Sequence, residues 1–101
     1  MNYALQARMF KAFCDENRLQ IIDLISDGET CSCVLLEKLE ISQPTLSHHM
    51  KILCDSGMVI SRRDSKWIYY TLNQERFDEA KAFLDALTTA SGEPPKKCVN
   101  T

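Results

Sequence analysis

Ser42-Gln-Pro-Thr-Leu-Ser-His-His-Met50 is the stretch that decides the fold. Ser42 is a strong helix N-cap, because its hydroxyl accepts a hydrogen bond from an N–H of the first turn. Pro44 follows inside that turn, where its missing N–H costs nothing. The helix so begun runs to about Asp55, and Gly57 closes it. Immediately upstream, Thr30 or Ser32 is placed to cap a short helix that reaches about Leu39, and Glu40-Ile-Ser42 is a tight connection. Two helices joined by so short a turn suit a helix-turn-helix.

Working outward, Val59 to Arg63 and Lys66 to Leu72 alternate in polarity around Asp64-Ser65, which predicts a β-hairpin. Ile68, Tyr70 and Leu72 would share its core face, with Trp67 and Tyr69 opposite. Leu5, Met9, Ala12 and Phe13 recur at helical spacing and predict a helix over 3–15. A second helix is expected from Arg18 to Ser26, capped by Asn17, with Leu19, Ile21, Ile22, Leu24 and Ile25 largely buried. Asn73 would cap a last helix from about Gln74 to Thr89, whose Phe77, Ala80, Leu84 and Leu87 form an apolar seam. The order is α-α-α-α-β-β-α: mainly helical with a small β-hairpin, a winged helix-turn-helix. The first and last helices keep an apolar stripe that a small domain does not easily cover, so a homodimer is expected.

At 101 residues the chain is one domain, expected over 1–90, with a flexible tail over 91–101. The tail holds Ser91-Gly-Glu-Pro-Pro95, then Lys96, Lys97 and Cys98. No apolar run has bilayer length. The N-terminus lacks a basic region followed by an apolar stretch, so a cytoplasmic protein is expected. Five cysteines, an odd number, point to free thiols rather than a disulfide framework. There are no paired carboxylates, nucleophile–base arrangement or phosphate loop, so an enzyme is not expected.

Formal net charge is −2, which carries no nucleic-acid signal. Between Ile41 and Leu72, however, Lys51, Arg62, Arg63 and Lys66 face only Asp55 and Asp64. Local patches of this kind govern association with double-stranded DNA. The N-terminal part of a recognition helix touches base edges, which places Gln43, Thr45, Ser47 and His48 there. Glutamine pairs with adenine, and a threonine methyl contacts thymine. Lys51, Arg62, Arg63 and Lys66 suit phosphates, which position without specifying. Taken singly, each of these residues is equally a solvated polar position; together, on a winged helix, they favour DNA. Neighbouring helical residues diverge by about 100°, so His48 and His49 are a poor chelate. His48 is expected to face DNA and His49 to make a structural hydrogen bond near the backbone.

Cys31 and Cys33 precede the reading helix. Residues two apart on a helix point to nearly opposite sides. An ion that takes both thiolates is therefore expected to distort the backbone and so act as a switch. Thiolates select soft ions, and the start of a helix favours the thiolate form. The competing reading is that both are small buried packing residues. Cys98 on the tail is a candidate third ligand, with water or an exogenous thiol as the alternative. Cys54 is expected to be a bystander near the end of the reading helix.

Arg18-Leu-Gln-Ile-Ile22, Ser42 to Met50, Ser56-Gly-Met-Val59 and Lys66-Trp-Ile-Tyr-Tyr-Thr-Leu72 resemble the ArsR/SmtB family of metal-sensing repressors. The resemblance covers roughly residues 5 to 90. Glu29-Thr-Cys-Ser-Cys-Val-Leu-Leu36 is similar to the cysteine segment of arsenic- and cadmium-responsive members. It implies a homodimeric repressor that holds operator DNA and is released by trivalent arsenic or antimony on Cys31 and Cys33. Departures narrow the effector. Leu36 stands where some arsenic sensors carry a third cysteine, and the wing turn lacks the frequent glycine. The last helix has no histidine for the family's zinc site, and the N-terminal cysteine pair of cadmium and lead sensors is reduced to Cys14, which stands where the resemblance implies a small buried residue and is therefore expected in the core. These differences argue against zinc, nickel and cobalt, and less strongly against cadmium and lead. A thiol redox sensor, or a cadmium or lead sensor, of the same fold is the runner-up.

Overall fold

The computed structural model describes residues 2–89. Within them the order is α1 (Tyr3–Ala12), α2 (Glu16–Ile25), β1 (Thr30–Cys31), α3 (Ser32–Leu39), α4 (Gln43–Asp55), β2 (Val59–Asp64), β3 (Trp67–Leu72) and α5 (Gln74–Thr88). The expected tail, with Cys98, lies outside the described residues. No helix among the described residues is long and apolar enough to cross a membrane.

Ser42 caps α4 as its sequence position implies: its Oγ accepts the Thr45 N–H at 3.3 Å. The turn before it bends at Glu40, whose left-handed φ of 53° ends α3. Asp15, not Asn17, caps α2, accepting the Arg18 N–H at 3.1 Å. That cap ends α1 at Ala12, three residues before its expected end. Asn73 holds the N-cap position of α5 but makes no side-chain cap. Its amide instead donates to the Gly57 carbonyl at 2.9 Å, and its backbone N–H donates to the Met58 carbonyl at 2.9 Å.

The hairpin forms in the expected sense. Val59 pairs with Leu72 and Asp64 with Trp67, so the two-residue turn is Ser65-Lys66, one residue later than expected. Ser65 takes the left-handed conformation at φ 60°, filling the position where glycine is easiest. Tyr70 is buried and Trp67 is exposed, which matches the expected faces. A third strand was not expected. Thr30 and Cys31 pair with Tyr70 and Tyr69, giving an antiparallel sheet of order β1-β3-β2. Two residues are too few to display strand periodicity, and Thr30 and Ser32 look like helix caps when read alone.

Two clusters form the core. Ile21, Ile25, Leu35, Leu46, Leu53 and Val59 belong to the central one, among α2, α3, α4 and the sheet. Met9, Met58 and Ala80 form the other, where Phe13 and Phe77 join α1 to α5. Leu19 is 51% exposed, contrary to its expected burial. The helical period turns Leu19 outward when Ile21 and Ile25, four residues apart, face in.

Candidate functional site

Leu46, His49, Met50 and Leu53 anchor α4 in the protein. The same period leaves Gln43, Thr45, Ser47, His48 and Lys51 exposed on its other side. The structure thus gathers the five expected contact residues of this helix on its solvent-facing side. Ser42 Oγ donates to Thr45 Oγ1 at 2.8 Å, so the cap also orients the Thr45 side chain. Lys51 meets Asp55 at 3.2 Å, one turn on, in an exposed pair.

His49 makes side-chain contacts rather than the expected hydrogen bond near the backbone. Its ring is buried, with Nδ1 3.2 Å from Arg18 Nη1. An arginine only donates, so Nδ1 is the acceptor and the ring proton of the neutral form sits on Nε2. Arg18 Nε also donates to the Ala12 carbonyl at 2.8 Å, and Asp15 Oδ2 lies 3.8 Å from His49. This cluster ties the root of the reading helix to α1 and α2.

Alternation along β2 sends Arg62 and Arg63 to opposite faces. Arg63 is exposed and forms no ion pair among the described residues. Its cross-strand partner is Ile68. Ile68, Ser61 and Tyr70 wall a cleft of about 330 Å3 opposite Ser47, Met50, Lys51 and Cys54 of α4. Arg62 is engaged elsewhere. Its Nε and Nη2 donate to the Glu29 carboxylate at 3.0 and 2.6 Å, and its guanidinium lies 4.7 Å from the Tyr69 ring centroid. The pairing raises the Arg62 pKa and lowers that of Glu29. Arg62, expected on a phosphate, is therefore already bound. Lys66 sits at the hairpin tip, 5.4 Å from the Trp67 ring centroid.

The thiol pair departs most from its expected geometry. Cys31 is not a helical residue: at φ −72° and ψ 144° it is the extended N-cap of α3. Its Sγ accepts the Cys33 N–H at 3.3 Å. The Cys33 thiol pulls the Cys31 pKa below the ordinary thiol value, helped by backbone N–H groups and the Ser32 hydroxyl. The neighbouring Cys31 thiol in turn pushes the Cys33 pKa up. The Cys31 sulfur thus reaches back to the Cys33 backbone without distortion of α3, because Cys31 precedes the helix. Cys33 is exposed and Cys31 half-exposed, which sets aside core packing.

Among the described residues no group of three His, Cys, Asp or Glu side chains is gathered to hold an ion. Cys14, expected in the core, is exposed and donates to the Phe10 carbonyl at 3.4 Å. α1 stops short of it, which leaves it outside the packed face. Cys54 is half-buried in the cleft, and burial raises its pKa. The sequence reading missed Glu29 as a partner of the wing. Its ion pair spans 33 residues, and no local pattern announces a contact at that separation.

Residues 15–61 match the family model described as bacterial regulatory protein, arsR family. The chain is 40% identical over 99 residues to the arsenical resistance operon repressor of Staphylococcus aureus, covering 98% of this chain and 91% of that one. HlyU from Vibrio cholerae superposes with a TM-score of 0.71 at 31% identity, covering 87% of this chain and 98% of the other. An ArsR family transcriptional regulator superposes with a TM-score of 0.80 at 20% identity, over 86% and 90% of the two chains, and shows the same fold. The chain belongs to the bacterial arsR family and is a transcriptional repressor built on a winged helix-turn-helix.

Proposed function

We propose that this repressor holds operator DNA as a homodimer and releases it when trivalent arsenic or antimony is taken up by Cys31 and Cys33. The observation that carries the proposal is the pair of solvent-reached thiols at the start of α3, with the Cys31 sulfur seated on the Cys33 N–H. Two adjoining sulfurs suit a soft, thiophilic ion and suit hard cations poorly. Cys31, held low, supplies a thiolate more readily than a free cysteine does, and the thiolate is the ligand. Cys98 is proposed as the third donor. The relative's name, an arsenical resistance repressor, supports the same effector class.

On the DNA side, Gln43, Thr45, Ser47 and His48 are assigned to base edges, and Lys51, Arg63 and Lys66 to phosphates. Arg62 is assigned to shaping the wing. The dimer is assigned to α1 and α5, where Tyr3, Leu84 and Leu87 are 73%, 50% and 66% exposed. Two reading helices must then span half-sites about 34 Å apart.

The test is fluorescence anisotropy on an operator fragment, titrated with arsenite, antimonite, cadmium and hydrogen peroxide. Arsenite and antimonite should weaken binding up to about a hundredfold, the upper range of common allosteric coupling. Cys31→Ser/Cys33→Ser should keep DNA affinity and lose the response, and Cys98→Ser should weaken it. An undiminished response in the double variant removes the site assignment. Release by peroxide alone, without response to metalloid, replaces the proposal with a redox sensor.

A further inference from the structure

The thiol pair sits on the same sheet as the wing. Cys31 is at once the N-cap of α3 and the partner of Tyr69 across β1 and β3. Tyr69 is in turn the partner of Arg62 across β3 and β2. Arg62 returns to the thiol segment, because Glu29 grips it with a two-pronged pair. A closed ring results: Glu29 and Cys31 on one short segment, Tyr69 and Arg62 on the wing. Isolated exposed ion pairs contribute little, but a forked arginine–carboxylate pair within a network is the recognised exception. The Arg62 guanidinium over Tyr69 adds a third attachment to that network.

We propose that Glu29 is a positioning residue that transmits the state of Cys31 and Cys33 to the wing. With the thiols free, Glu29 keeps Arg62 over Tyr69 and fixes the hairpin. When both thiols are ligated the 29–31 segment shifts, the fork opens, and the hairpin loses its seat against DNA. The inference rests on the effector role of the two cysteines and adds the route by which that role reaches DNA.

The test uses the full chain and the same operator fragment. Its readout is the response ratio, operator Kd with arsenite divided by Kd without it. Arsenite uptake is followed separately by the ultraviolet absorbance of the arsenic–thiolate bond. Glu29→Gln keeps the size and removes the charge. It should take up arsenite as wild type does, bind DNA about tenfold more weakly than wild type before any arsenite is added, and show a response ratio reduced roughly tenfold. Arg62→Gln should do the same, and the double variant should be no worse than either single one, as expected for partners in one interaction. Thermal melting of each variant checks that the fold is kept.

If wild type responds and both single variants respond equally well, the transmission role falls while the effector site stands. Loss of arsenite uptake in Glu29→Gln overturns it as well, since Glu29 would then belong to binding. Losses that simply add in the double variant also overturn it. Continued response in Cys31→Ser/Cys33→Ser sinks the underlying effector reading and this inference together.

Discussion

The two adjacent arginines of the wing have separate surroundings. Arg62 is bound to Glu29, whereas Arg63 is exposed on the face shared with the cleft beside α4. Each phosphate neutralised on duplex DNA lowers the slope of log K against log salt by about 0.9. Arg63→Gln should therefore lower the magnitude of the measured slope by about one, while Arg62→Gln leaves it unchanged. Equal losses for the two variants would mean that DNA draws Arg62 away from Glu29. From sequence alone the two looked equivalent, because strand alternation says that they diverge but not what each one meets. The cysteines were legible as two neighbouring thiols but not in their geometry. Whether Cys31 lies in the helix or just ahead of it turns on one residue of boundary, and boundaries shift by that much.

At the scale of elements, α4 and the hairpin were legible because each carries its own signals. Ser42 and Pro44 fix the start of one; the alternation of Ile68, Tyr70 and Leu72 fixes which face of the other is buried, though its turn falls one residue later than expected. β1 was not legible, since its pairing with Tyr69 and Tyr70 depends on a strand some 40 residues away. The cap of α2 was misplaced because Asp15, Glu16 and Asn17 are all plausible until the chain direction is known. That cap has a pH consequence. The Arg18 N–H, the His49 ring and the Arg18 charge hold the Asp15 carboxyl below its ordinary value of 3.8. A depressed carboxyl contributes stability that is complete above 3.8 and is lost as pH falls through the lower folded value. Asn also caps helices well. Asp15→Asn should thus fold normally near neutrality and show a flatter fall in urea midpoint below about pH 4 than wild type. Parallel curves for the two proteins would remove Asp15 from the acid response.

At the scale of the whole molecule, α1 and α5 leave an apolar surface that the single chain does not cover. Leu84 and Leu87 lie one turn apart on its last helix and are half or more exposed. Leu84→Glu/Leu87→Glu should give a monomer by sedimentation and lose operator affinity at least tenfold, while the monomer fold and its far-ultraviolet spectrum persist. A dimer that survives this double change places the interface elsewhere. The seam was visible in the sequence, but which of its members turn inward was not: Ala80 is buried against Met9 and Met58, and Leu87 is not. Met58 and Val59 are consecutive, yet one is sunk in the methionine-lined cluster and the other in the central core. A single peptide link thus joins the cluster between α1 and α5 to the core that carries α4. With no residue between them, neither cluster can shift at this point of the chain without pulling on the other.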